Sequence, residues 1–181
     1  MIIRFVRTAG APDRVYVRRT DGSETSWSFP TYGDAVPHDL LHLVVEEAFQ
    51  IADGFWGRVD RGVDPARINA EANRTGGANK YKGFGDDLRG LLLAEAVANL
   101  SWGISEVSDE QRLQQIADEC AKHGIAVPSL VDAAGLRRVR EQLAELGARW
   151  RALVPKGTIE LTFTSPQPRP PSAGVTPRRS C

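Results

Sequence analysis

Hydrophobic and polar positions alternate at both ends of the chain, and this period of two is typical of half-buried β-strands. Three such runs lie within residues 1–30, and the turn sequence Asp21-Gly22 between the second and third favours a hairpin. A fourth run begins after Pro155 and is expected to return to the N-terminal strands. The positions predicted to share a face within each strand are Ile3, Phe5, Val15, Val17, Thr25, Trp27, Phe29, Ile159, Leu161 and Phe163.

Between these strands the apolar residues recur at spacings of three and four, which is the period of an amphipathic helix. This pattern predicts helices over residues 37–52, 64–74, 88–100, 108–123 and 129–153. The last helix carries a coiled-coil-like seam from Leu136 to Leu153. We expect it to form a hairpin with the preceding helix, its seam covering the sheet, the central helix or a second copy of the chain. Residues 54–59 are expected to return as a short strand or a packed loop.

Together these elements predict an α+β fold: a small antiparallel sheet packed against about five helices, including a C-terminal helical hairpin. We assign this single domain to residues 1–164. The remaining segment, residues 165–181, contains five prolines and almost no large apolar side chain. Such a composition cannot bury enough surface to offset the entropy of ordering, so we expect a disordered tail.

Composition narrows the classes of function. The chain has 23 basic and 23 acidic side chains, so it lacks the charge excess of a protein that binds nucleic acid mainly through phosphate contacts. No apolar run approaches the roughly 20 residues of a membrane span, and residues 1–7 do not resemble a signal-peptide core. Cys120 and Cys181 form no disulfide framework. We therefore expect a cytoplasmic protein with reduced thiols and neither a membrane nor a nucleic-acid partner.

The candidate chemistry is concentrated where His38 and His42 stand four residues apart on a predicted helix. Such positions lie one above the other on the same face, so both imidazoles can approach one cation or one substrate. The sequence His38-Asp39-Leu40-Leu41-His42 is similar to the zincin helix motif His-Glu-x-x-His, with aspartate in place of glutamate. This five-residue resemblance implies that the histidines bind zinc or another divalent metal and that Asp39 acts as a base on bound water.

A third metal ligand has to be a carboxylate, because no third histidine follows at a metalloprotease-like distance. Glu71 and Glu95 are the candidates, and Glu95 shares a face of the central helix with Asn99. Glu46 is disfavoured, because residues 38 and 46 lie about 12 Å apart along the helix axis. In the alternative structural interpretation His38 is simply exposed, His42 bonds Glu46, and the polar positions of the central helix face water.

A glycine-rich loop over residues 75–85 is the second candidate site. It carries Lys80, Tyr81 and Lys82, and its glycines let backbone amides approach an anion. The loop leads into the N-terminus of the central helix, where anions are stabilised. It would bind a substrate or close over it as a lid. The alternative is a plain connector.

Two classes of function follow. The first is a small hydrolase-like enzyme in which His38, Asp39 and His42 perform acid–base or metal-dependent chemistry on a small-molecule substrate. Its cofactor would be a divalent first-row metal such as zinc, held by His38, His42 and Glu95. The second is a non-catalytic protein that forms a homodimer, or captures a partner, through the seam of residues 129–153 and the proline-rich tail.

Overall fold

The structure is a computed structural model that describes residues 1–8, 11–29, 34–66, 68, 88–103 and 106–164. It confirms the α+β fold. Four strands form one sheet in the order β3-β2-β1-β4, and each neighbouring pair is antiparallel. The C-terminal strand therefore lies beside the N-terminal one, as predicted. The strands are β1 (Ile2–Val6), β2 (Asp13–Arg18), β3 (Glu24–Phe29) and β4 (Thr158–Thr162).

The two faces of the sheet differ as the alternation predicts. In β2, Val15 and Val17 are buried, whereas Arg14, Tyr16 and Arg18 are exposed. Buried strand residues and buried helix residues belong to one hydrophobic core, so the helices cover one face of the sheet. The other face is solvated, which antiparallel sheets tolerate.

Five helices are observed in the described part of the chain, and α1 is central to them. It contacts α2, α3 and α5. No described helix combines the length and the apolar character that crossing a bilayer requires. The helices are α1 (His38–Ala48), α2 (Phe55–Asp60), α3 (Arg89–Ala98), α4 (Asp109–Lys122) and α5 (Ala133–Arg151).

Helix α1 ends earlier than the predicted residue 52. Gln50 adopts a left-handed backbone with φ of 56°, and the amide of Ile51 bonds the carbonyl of Glu46 over 2.9 Å. This six-residue loop closes the helix as a Schellman motif does. Ile51 is still buried, so its apolar character belongs to the loop and not to the helix.

The prediction of a strand or loop over residues 54–59 was wrong, because these residues form α2. The backbone amides at the start of α2 donate hydrogen bonds to the carboxyl group of Glu46 in α1. The helix therefore needs no capping side chain from its own N-terminal residues. Phe55 and Trp56 are buried in this helix and pack edge to face, with ring centroids 5.1 Å apart.

The C-terminal helical hairpin is confirmed, since α4 and α5 contact each other. Helix α5 begins at Ala133 and not near Ser129, because the side chain of Asp132 caps it by accepting a hydrogen bond from the amide of Gly135 over 2.6 Å. The seam residues of α5 are buried within the chain itself. They are Leu136, Val139, Leu143, Leu146 and Trp150. The predicted tail and most of the predicted helix 64–74 lie outside the described residues.

Candidate metal centre

Helix α1 presents its two histidines to one point, as the four-residue spacing predicts. Nε2 of His42 lies 3.1 Å from Nε2 of His38, and the rings meet edge to face with centroids 4.7 Å apart. His38 is exposed, whereas His42 is only 3% exposed. The pair therefore spans the boundary between solvent and core, with one ring held by packing and the other accessible.

Helix α3 brings Glu95 to the same point. Its Oε1 lies 3.8 Å from Nε2 of His42, and its Oε2 accepts a hydrogen bond from the side-chain amide of Asn99 over 3.1 Å. The close approach of α3 depends on Gly90, because a Cβ there would stand 2.7 Å from the carbonyl carbon of Asp53. A small residue at one end of α3 thus helps to set the position of a carboxylate more than one turn later.

The two rings and the carboxylate together form a grouping suited to a metal ion. One ligand atom from each of His38, His42 and Glu95 lies within 4.8 Å of the other two. In a tetrahedral site with metal–nitrogen bonds of about 2.1 Å, ligand atoms stand about 3.4 Å apart. The observed separations of 3.1 and 3.8 Å fall on either side of that value, and the third separation is at most 4.8 Å. To enclose an ion, the side chains of His38 and Glu95 would have to adjust their positions.

Asp39 follows His38 on α1 and is held by aromatic residues. Its Oδ2 accepts a hydrogen bond from the indole of Trp27 over 2.9 Å, and its backbone carbonyl accepts one from the indole of Trp56 over 2.8 Å. Burial raises the pKa of Asp39 above its ordinary value, while the bond from Trp27 and the charge of His38 oppose this rise. The carboxyl group is therefore desolvated, and its charge interacts with that of His38.

Glu46 is fully buried one turn beyond His42. Its Oε2 accepts hydrogen bonds from the backbone amides of Trp56 at 3.0 Å and Gly57 at 3.3 Å, which cap α2. Its Oε1 lies 3.9 Å from Nδ1 of His42. Desolvation raises the pKa of Glu46 to about 8, although the amide bonds oppose the shift. This distance is about 1 Å longer than an N–H···O hydrogen bond. The hydrogen bond between His42 and Glu46 that the alternative interpretation expects is therefore not formed.

The structure thus brings together His38, His42 and Glu95, as the metal hypothesis requires, and the charge of Asp39 interacts with those of His38 and Glu95. Glu46 is not among the three converging ligands, in agreement with the helix-length argument. The remaining candidates, Glu71, Lys80, Tyr81 and Lys82, lie outside the described residues.

Sequence reasoning missed the surroundings of the site. It did not anticipate that Trp27 and Trp56 would bond Asp39, or that Glu46 would cap α2. Gly54 carried a signal: a Cβ there would stand 2.6 Å from both carboxyl oxygens of Glu46. Because glycine has no side chain, its position directly before two aromatic residues could have been taken to indicate that a buried group from another element occupies that space.

Comparison of the chain with protein-family models, with curated proteins and with solved structures found no match.

Proposed function

We propose that this protein binds one divalent first-row transition-metal ion through His38, His42 and Glu95 and uses it as a Lewis acid in hydrolysis. The observation that carries the proposal is the convergence of three ligand atoms from two helices within 4.8 Å. Two imidazoles and one carboxylate suit zinc and its neighbours in the first transition series. Three protein ligands leave a further coordination position for water or substrate, and the exposure of His38 gives that position a path to solvent.

Asp39 is the candidate base in this proposal. It occupies the place of the zincin glutamate in sequence, and its charge interacts with His38 and Glu95. A bound metal would supply Lewis acidity to water, and Asp39, with one carboxyl oxygen fixed by the indole of Trp27, would take up the proton of that water. The oxygen of that water would attack an amide or ester carbonyl of a small-molecule substrate, and the leaving group would take up the proton. We place this activity in the cytoplasm, in keeping with the free thiol of Cys120.

We do not propose the second function class, an interaction protein that uses the seam of α5. The seam residues are buried within the chain, so a partner could reach them only if the fold opened. Leu146 and Trp150, for example, are 2% and 1% exposed. The seam that the interaction hypothesis needs is thus part of the protein's own core, whereas the proline-rich tail, its other element, lies outside the described residues.

Metal analysis of the untagged full chain tests the metal centre. After dialysis against a chelator, zinc is added and bound metal is counted by elemental analysis and titration calorimetry. We expect one equivalent in the wild type and at least 10-fold weaker binding in His38→Ala, His42→Ala and Glu95→Gln. His123→Ala is the matched control, because His123 and Glu119 form a pair 3.6 Å apart on α4 outside the site.

Absence of binding in the wild type, with no thermal shift on addition of zinc, nickel, manganese or iron(II), would contradict the metal centre. Equal binding by the site variants and the wild type would contradict the assigned ligands. The hydrolytic step is tested separately with 4-nitrophenyl esters and anilides. We expect Asp39→Asn to keep the metal and lose metal-dependent turnover. Turnover that persists in this variant would remove Asp39 from the proposal.

A further inference from the structure

We propose that Glu46 is a positioning residue whose ionised carboxyl group accepts a hydrogen bond from Nδ1–H of His42 and so directs Nε2 of that ring to the metal. This inference deepens the proposed function and rests on it. It concerns a residue that touches neither metal nor substrate but determines which nitrogen of His42 serves as the ligand.

The two nitrogens of His42 face different partners. Nε2 points to the metal grouping, 3.1 Å from His38 and 3.8 Å from Glu95, whereas Nδ1 faces Oε1 of Glu46 at 3.9 Å. A neutral imidazole carries its proton on only one nitrogen, and the partner of that nitrogen determines the tautomer. The gap to Glu46 exceeds an N–H···O hydrogen bond by about 1 Å. A small tilt of the ring would close it.

Glu46 is well suited to act as a fixed acceptor because its own position is strongly constrained. It is fully buried, and its carboxyl oxygens accept the backbone amides of Trp56 and Gly57. A move toward solvent would leave these buried amides without their partner, which is costly. The space opposite the carboxyl group is available only because residue 54 is glycine. Carboxylates placed in this way behind a metal-binding histidine fix its tautomer and its orientation.

One consequence concerns the metal-free protein. If His42 carries its proton on Nδ1, its Nε2 can only accept a hydrogen bond. Across the distance of 3.1 Å, Nε2 of His38 must then be the donor. The inference therefore assigns both tautomers: Nδ1–H for His42 and Nε2–H for His38.

Nitrogen NMR of the histidine rings tests this assignment without any metal. Spectra of the full chain labelled with ¹⁵N-histidine are recorded at about pH 9.5, above both the reference pKa of histidine and the pKa of about 8 of Glu46, so that the carboxyl group is ionised and can only accept a hydrogen bond. We expect the Nδ1–H tautomer for His42 in the wild type. In Glu46→Gln, the amide oxygen stays on α2 and the NH₂ group turns to His42, so the proton moves to Nε2. Glu47→Gln, which changes the neighbouring half-buried carboxyl group, should resemble the wild type.

A wild-type His42 protonated on Nε2, or a Glu46→Gln spectrum without change, would overturn the inference. If Glu46→Gln does not fold, the wild-type tautomer alone decides. Titration with cobalt(II) gives the second measurement: we expect 10- to 100-fold weaker binding in Glu46→Gln, with shifted visible absorption bands, and wild-type behaviour in Glu47→Gln. Unchanged affinity and absorption in a folded Glu46→Gln would also overturn it.

The two proposals can fail separately. If the wild type binds no cobalt but shows the expected tautomers, the metal centre is wrong while the tautomer assignment of Glu46 stands and only its role toward a metal is lost. If the wild type binds cobalt through His38 and Glu95 but the tautomer of His42 does not respond to Glu46→Gln, the metal centre stands and the positioning role is wrong.

Discussion

At the scale of single residues, the site depends on glycines and aromatic residues as much as on its ligands. The spacing of His38 and His42 was sufficient to predict their convergence, because a helix determines which side chains share a face. The partner from α3 was less certain, since Glu71 and Glu95 were both open and only the packing of two helices could choose between them. Sequence periodicity describes one element at a time and does not show which elements meet.

Gly54→Ala tests how firmly the buried carboxyl group is held. The added methyl group would stand 2.6 Å from both oxygens of Glu46, which cannot retreat without releasing the amides of α2. We expect a loss of about 1–3 kcal/mol in the free energy of unfolding, the usual cost of overpacking. Urea denaturation followed by circular dichroism measures it.

Gly103→Ala is the control for this change, because a Cβ there would meet nothing within 4 Å. Its effect should stay within about 0.5 kcal/mol. Equal unfolding midpoints for Gly54→Ala and the wild type would show that Glu46 can shift freely. In that case the close approach of residue 54 would not be what holds the carboxyl group of Glu46 in place.

At the scale of elements, the strands and helices were predictable where a periodic pattern ran for several turns or residues. The errors concentrate where a side chain from another element decides the outcome. Helix α2 is only six residues long and is capped by Glu46 from α1. Its own sequence therefore contains neither a long periodic pattern nor a capping residue from which the helix could be predicted. The start of α5 was predicted near Ser129, which is too early, because the side chain of Asp132 is the one that caps the helix.

Asp132→Ala tests the observed start of α5. The Asp132 side chain accepts the amide of Gly135, and Gly135 in turn lies against Phe49 at the end of α1, where a Cβ would stand 2.5 Å from the ring. Loss of the cap should cost about 0.5–2 kcal/mol of stability, measured as the shift of the urea midpoint. Asp132→Asn keeps an acceptor and should retain most of the stability. A Ser129→Ala variant that loses more than Asp132→Ala would return the helix start to Ser129.

At the scale of the whole molecule, the central question is whether the apolar seam of α5 serves the fold or a partner. The sequence could not answer it, because a coiled-coil-like spacing describes a stripe of side chains and not the surface that covers it. In the structure Phe29 of the sheet approaches Trp150 of α5, with ring centroids 6.4 Å apart, and α1 packs against the same helix. The seam thus joins α5 to the sheet and the central helix.

Leu146→Ala distinguishes the two roles of the seam. Leu146 is 2% exposed within the single chain, so its truncation should leave a cavity and cost about 2–5 kcal/mol of unfolding free energy. Because this cost arises within one chain, the shift in the unfolding midpoint should be the same at low and high protein concentration. A seam shared between two copies would instead give midpoints that rise with concentration in the wild type and lose that dependence in the variant. Leu130→Ala is the control, because Leu130 lies in the same hairpin but is 42% exposed. Its truncation should cost much less unfolding free energy than that of Leu146.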